Sequence, residues 1–131
     1  MAKQVFSVLY IIRGLPGSGK STLGEQLCPG RSFQDDDYWT GPDGVYRYDP
    51  ETTEQANRHC YNQVRTAMTD PSQQPVAVCC PFVRKSDYAS YLQLCKELGW
   101  QAFVVVCLNE YGDVHDVQPS SRARMIERWE H

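Results

Sequence analysis

No excess of basic charge runs through this 131-residue sequence: Lys and Arg total 13 against 16 for Asp and Glu, a formal net charge of −3. That balance argues against indiscriminate nucleic-acid binding through bulk charge, while leaving room for a local basic groove. Long apolar runs are missing too. The longest near the start, Val5 to Ile12, is broken by Ser7 and followed by Arg13, far short of the ~20 residues that span a bilayer. No small-residue cleavage pattern follows it, so it reads as a strand and not a signal peptide, and no membrane association is expected. The cysteines Cys28, Cys60, Cys79, Cys80, Cys95 and Cys107 form no C-x-x-C pair and have no His-rich partner segment. Neither zinc nor a disulfide framework is expected. Four of them lie in apolar periodic segments, where a thiol acts as a small hydrophobe, which points to a reducing, cytoplasmic setting. The sequence has no internal repeat, low-complexity tract or Gly/Ser linker, and its length suits one domain over residues 1–131 with a single site.

What is present is an ordinary globular balance, 41% hydrophobic and 22% charged, arranged as alternating elements. Val5–Ile12 reads as a buried strand, a short β-branched run ending at glycine. Lys20 to Cys28 suits a helix stopped by Pro29-Gly30, and a brief strand fits Arg31–Gln34. Asp49-Pro50-Glu51 is a strong helix start, and Ala56, Cys60, Val64, Ala67 and Met68 then recur at three- and four-residue steps to about Thr69. Pro75–Cys80 is another strand. A helix from about Ser86 carries Tyr88, Tyr91, Leu92, Cys95 and Leu98 on one face and closes at Gly99. Ala102–Leu108, with three consecutive valines, predicts a strand covered on both faces, and a last helix runs from about Pro119 to Glu130. Continuously apolar strands alternating with helices imply parallel pairing: a three-layer α/β/α domain with a mainly parallel sheet of about four strands.

Between the first strand and first helix lies Gly14-Leu15-Pro16-Gly17-Ser18-Gly19-Lys20-Ser21, which fills every position of the phosphate-loop pattern G-x-x-x-x-G-K-[ST]. Glycines let backbone N–H groups curl around phosphate oxygens, and the following helix points its positive end at the anion. Lys20 would neutralise the outer phosphates, and the Ser21 hydroxyl would supply one oxygen to Mg²⁺. Gly14, Gly17, Ser18, Gly19, Lys20, Ser21 and Thr22 are therefore the candidate nucleotide-binding residues. The loop does not choose the reaction, because kinases, GTPases, motor ATPases and transport ATPases share it.

Asp35-Asp36-Asp37-Tyr38 follows the second strand and should emerge at the carboxyl end of the sheet, where open α/β sheets place their ligands. A carboxylate there would accept a hydroxyl proton as a general base, or the acids form a solvated turn or a helix cap. On a locally extended chain the flanking Asp35 and Asp37 point away from the face that Asp36 presents.

Together these motifs resemble the polynucleotide-kinase-like P-loop kinases. The resemblance rests on Arg13 through Thr22, Asp36-Asp37-Tyr38, Gly44 through Glu51 with Ala56 and Cys60, His115-x-Val117, and Met125 with Arg128-Trp129-Glu130. It implies an ATP- and Mg²⁺-dependent phosphotransferase with Asp36 and Lys20 as catalytic residues. The implied acceptor is a hydroxyl on nucleic acid or a nucleotide-like compound, such as a 5′-hydroxyl end or a hydroxymethylated base in DNA. Two departures stand out. The family's strand-end acid is missing from Val76-Ala77-Val78-Cys79-Cys80-Pro81-Phe82, and the arginine-bearing lid is reduced to Asn109 through His115 without arginine. Arg84, Lys85, Arg122 and Arg124 are the alternative cations. Trp39 stands where the family's bacteriophage polynucleotide kinase has an arginine for the acceptor phosphate. A nucleotide-binding interaction module without efficient catalysis is the competing reading, and simple ATP hydrolysis a third.

Overall fold

The computed structural model describes residues 7–70, 72, 74–109 and 119–131. Strands β1 (Val8–Gly14), β2 (Ser32–Phe33), β3 (Val76–Cys80) and β4 (Gln101–Cys107) form one sheet in the order β2-β3-β1-β4. Every pairing is parallel, with Leu9 opposite Val76 and Ala102, and Ile12 opposite Cys79 and Val105. The helices are α1 (Lys20–Leu27), α2 (Asp36–Trp39), α3 (Thr53–Ala67), α4 (Ala89–Leu98) and α5 (Pro119–Arg128). Short 3₁₀ turns, Pro50–Thr52 and Lys85–Tyr88, lead into α3 and α4. Val5 and Phe6, predicted to open the first strand, and His115 and Val117 lie outside the described residues.

The pleat sorts the core. Val76, Val78 and Cys80 of β3 join Leu9, Ile11, Cys60, Val64, Tyr91 and Leu94 under α3 and α4. Ala77 and Cys79 face the other way, toward Ile12, Cys28 and Leu23. Adjacent cysteines therefore serve opposite layers, as period-two side chains must. Five of the six cysteines are buried and Cys107 is half-buried, in keeping with the small-hydrophobe role. Asp49 caps the 3₁₀ turn before α3 by accepting from the Glu51 N–H at 3.0 Å, and Gly99 ends α4 in the left-handed region at φ 71°.

The expectation for β4 is corrected. It is an edge strand, paired with β1 alone among the described strands, and Phe103, Val104 and Val106 are 41–48% exposed. Ala102 packs against one core cluster and Val105 and Cys107 against the other, so a run of valines that reads as a doubly covered strand is only partly covered on each face. Leu98, predicted on the buried face of α4, is likewise exposed, while Leu94 takes its place in the core. No described helix is long and apolar enough to cross a membrane.

Candidate active site

The loop between β1 and α1 is held by its glycines. Gly17 and Gly19 sit at φ 82° and 89°, a left-handed conformation that a Cβ penalises. A Cβ on Gly14 would come 2.4 Å from Ser18 Oγ and 2.8 Å from the Cys107 carbonyl oxygen, so the chain can turn here only without one. Gly19 is also the N-cap residue of α1, with no side-chain cap, which leaves the N-terminal amides available to an anion.

The residues present fit a polyphosphate. Ser18 Oγ is buried with no hydrogen-bond partner among the described residues. Lys20 Nζ donates to the Leu15 carbonyl oxygen at 3.1 Å, and burial lowers its pKa. An ammonium held against a neutral carbonyl and an unpartnered hydroxyl both gain when phosphate oxygens arrive. Ser21 and Thr22 follow Lys20 in the first turn of α1 with exposed side chains.

The acid cluster departs from expectation. Asp35 has helical backbone angles, φ −60° and ψ −33°, and Asp36 and Asp37 form the first turn of α2. The chain is therefore not extended, and the three carboxylates fan around a turn. Asp37 accepts from the Gln34 N–H at 3.3 Å and from its side-chain amide at 3.4 Å. Asp36 Oδ1 accepts from the Tyr46 hydroxyl at 3.1 Å, and its charge acts on Lys20. Asp35 borders a cavity of about 780 Å³ at the carboxyl end of the sheet. Burial raises its pKa, partly offset by hydrogen bonds from the Cys80 and Cys60 thiols. The expectation that Asp35 points away from the site face is thus reversed, because a helical turn rotates successive side chains by about 100° where a strand alternates them.

The cavity is also lined by Tyr48, Asn57, Tyr61, Tyr91 and Cys80, with Arg84, Arg124 and Arg128 around it. Of the cations considered from sequence, Arg84 and Arg124 border this space. Lys85 instead lies where its backbone N–H donates to Glu130 Oε1 at 3.1 Å. Trp39 is spent on packing: its indole N–H donates to Thr52 Oγ1 at 2.9 Å, and its ring meets Tyr48 edge-on at 4.9 Å. Tyr48 carries the aromatic wall of the cavity in its stead.

One cation was not visible as buried from sequence. Arg13, 2% exposed, donates from Nε to the Phe82 carbonyl at 2.9 Å and from Nη2 to the carbonyls of Val83, at 3.0 Å, and Glu130. Its guanidinium also lies over the rings of Trp129 and Tyr88. The end of the chain is tied in this way to the rim of the cavity.

No family model matches the chain. Among solved structures, a gluconokinase from Sinorhizobium meliloti 1021 is similar over 98% of this chain and 78% of its own, with 16% identity and a TM-score of 0.58. The structure of a Pnkp1/Rnl/Hen1 complex is similar over 94% of this chain and 40% of the matched chain, at 16% identity and a TM-score of 0.61. The Mycobacterium tuberculosis APS kinase CysC, as a Cys556Ala mutant, covers 94% of this chain with 96% of its own, at 16% identity and a TM-score of 0.55. The parallel four-stranded sheet with helices on both faces is the P-loop NTPase fold that these kinases share.

Proposed function

We propose that this protein is an ATP- and Mg²⁺-dependent kinase that phosphorylates a hydroxyl on a nucleic-acid or nucleotide-like acceptor, resembling the polynucleotide kinases. The observation that carries the reading is the position of Lys20. It belongs to the phosphate loop, yet the Asp36 carboxylate acts on its charge, and Asp35 beside Asp36 lines the cavity. A donor compartment and an acceptor compartment thus meet at one ammonium.

In this reading the loop from Gly14 through Thr22 and Lys20 orient the phosphates, and Ser21 offers its hydroxyl to the metal. Bound ATP supplies the phosphoryl group, and Mg²⁺ offsets its charge. Asp36, steadied by Tyr46, takes the proton of the acceptor hydroxyl as its oxygen attacks phosphorus. Arg84, Arg124 and Arg128 supply the positive field that a lid arginine would otherwise give. Tyr48, Tyr61 and Tyr91 offer rings to a base. Because Asp35 borders the cavity, it is the second candidate for the proton acceptor.

The test is transfer from labelled ATP to 5′-hydroxyl oligonucleotides, hydroxymethylated DNA and nucleosides. Asp36→Asn is expected to lower kcat by ~10²–10⁴ with nucleotide binding retained. A comparable loss in Asp35→Asn alone would move the base to Asp35. The end of β3 favours one other reading. Cys79-Cys80-Pro81 offers no carboxylate there to steady a metal, as a nucleotide-binding interaction module would permit. Tight ATP binding with no transfer to any acceptor would establish that alternative and end the kinase reading.

A further inference from the structure

Cys60, in the middle of α3, and Cys80, the last residue of β3, are 0% and 4% exposed and belong to the same core cluster. Asp35 reaches them from the turn after β2. One ligand atom from each, two sulfurs and a carboxylate oxygen, lie within 4.8 Å of one another. Asp35 and Cys80 also border the cavity, so a fourth direction opens onto solvent-accessible space. We infer that Asp35, Cys60 and Cys80 form a binding site for a thiophilic divalent cation of the zinc class, three protein ligands with the fourth position facing the cavity.

The donor set selects the metal. Two thiolates and one carboxylate suit the borderline-soft Zn²⁺ in tetrahedral coordination, whereas Mg²⁺ and Ca²⁺ demand oxygen shells that this trio cannot build. The three groups already converge on one point, and the two thiols act on the Asp35 carboxyl, offsetting part of the upward shift that burial gives it. A cation entering there replaces two S–H protons, so each metal bound releases two protons to solvent. Two thiolates, one carboxylate and a dication leave one net negative charge, and the Lys20 ammonium acts on Cys80 to offset it. Tyr91 belongs to the same core cluster as Cys60 and lines the same cavity as Cys80, where it can supply a second layer of the kind that orients metal ligands. The ligands stand 25 and 20 positions apart in the sequence, on a turn, a helix and a strand. No short motif announces them.

The experiment titrates Co²⁺ into the reduced, metal-free protein without nucleotide and follows absorption. One equivalent should produce the sulfur-to-cobalt charge-transfer band and the intense visible bands of tetrahedral Co²⁺, both bleached by stoichiometric Zn²⁺. Cys60→Ser and Cys80→Ser should each weaken affinity at least about tenfold and reduce the charge-transfer band. Asp35→Asn should weaken binding with both sulfurs kept, and Cys95→Ser, a buried thiol elsewhere in the core, should change nothing. Circular-dichroism melts establish that each variant is folded before titration. Absence of a charge-transfer band in the wild type, or a band undiminished in folded Cys60→Ser and Cys80→Ser, overturns the site. Because no nucleotide or acceptor is present, this outcome is independent of whether the protein is a kinase. One consequence does rest on that reading: zinc at the cavity floor should inhibit transfer while nucleotide binding persists.

Discussion

The guanidinium carbon of Arg13 lies 4.3 Å from the centroid of the Trp129 ring. Arg13 is the penultimate residue of the central strand β1, just before the phosphate-loop glycine Gly14, and Trp129 follows the last helix, so a single cation–π contact joins the two ends of the described fold. Tyr88 lies 5.2 Å away on the same guanidinium. No carboxylate within ion-pair distance is found among the described residues. The charge is instead solvated by three carbonyls and two aromatic faces. Arg13 Nε also donates to the carbonyl of Phe82, whose backbone takes φ 47°, unusual for a residue with a side chain.

Arg13→Ala is therefore expected to cost ~2–4 kcal/mol, because buried carbonyls lose their donor and two rings lose their cation. Arg13→Lys keeps the charge but not the fork that serves several carbonyls at once, and should recover only part of the loss. Urea unfolding of the three proteins measures the order wild type, Lys, Ala.

Gly24 in α1 tests the docking of that helix on the sheet. A Cβ there would fall 2.3 Å from Ser32 Oγ and 2.5 Å from Cys79 Sγ. Gly24→Ala should destabilise by ~1–2 kcal/mol, since overpacking outweighs the helix propensity gained. A fall in Tm, with helical circular dichroism retained below it, is the expected signature.

Alkaline sensitivity follows from the buried thiols. Burial pushes Cys28, Cys79 and Cys95 up to about 11, above the ordinary 9.0. Between those values the unfolded chain has lost protons that the fold retains, so stability falls as pH rises through the window. Cys79→Ala should show a shallower fall than wild type when urea midpoints are compared from pH 8 to about 11. An identical slope would contradict the assignment.

The open edge of β4 predicts self-association. Val104 and Val106, 42% and 41% exposed, lie on an edge strand paired on one side alone among the described strands, which offers both apolar side chains and an open backbone edge. Val104→Lys should reduce concentration-dependent light scattering and change stability by less than about 1 kcal/mol, the usual behaviour of a charged gatekeeper on an exposed edge.

Sequence alone determined the order of the strands and the longer helices, the parallel sheet and the loop from Gly14 to Ser21, while the short helix Asp36–Trp39 went unread. Glycine at a turn, apolar period and capping at Asp49 are local physics. The tertiary structure decided what depends on distant packing. It put the valines of β4 at an edge, where strand order and not composition sets exposure. It turned Asp35 toward the cavity, because a helical turn replaced an extended chain. It buried Arg13 among hydrogen-bond partners 69 to 117 positions away along the sequence, and it gathered Asp35, Cys60 and Cys80 at one point. The opening absence of C-x-x-C spacing excluded only a site written in one short segment, since coordination is satisfied by distance in space and not by separation along the chain.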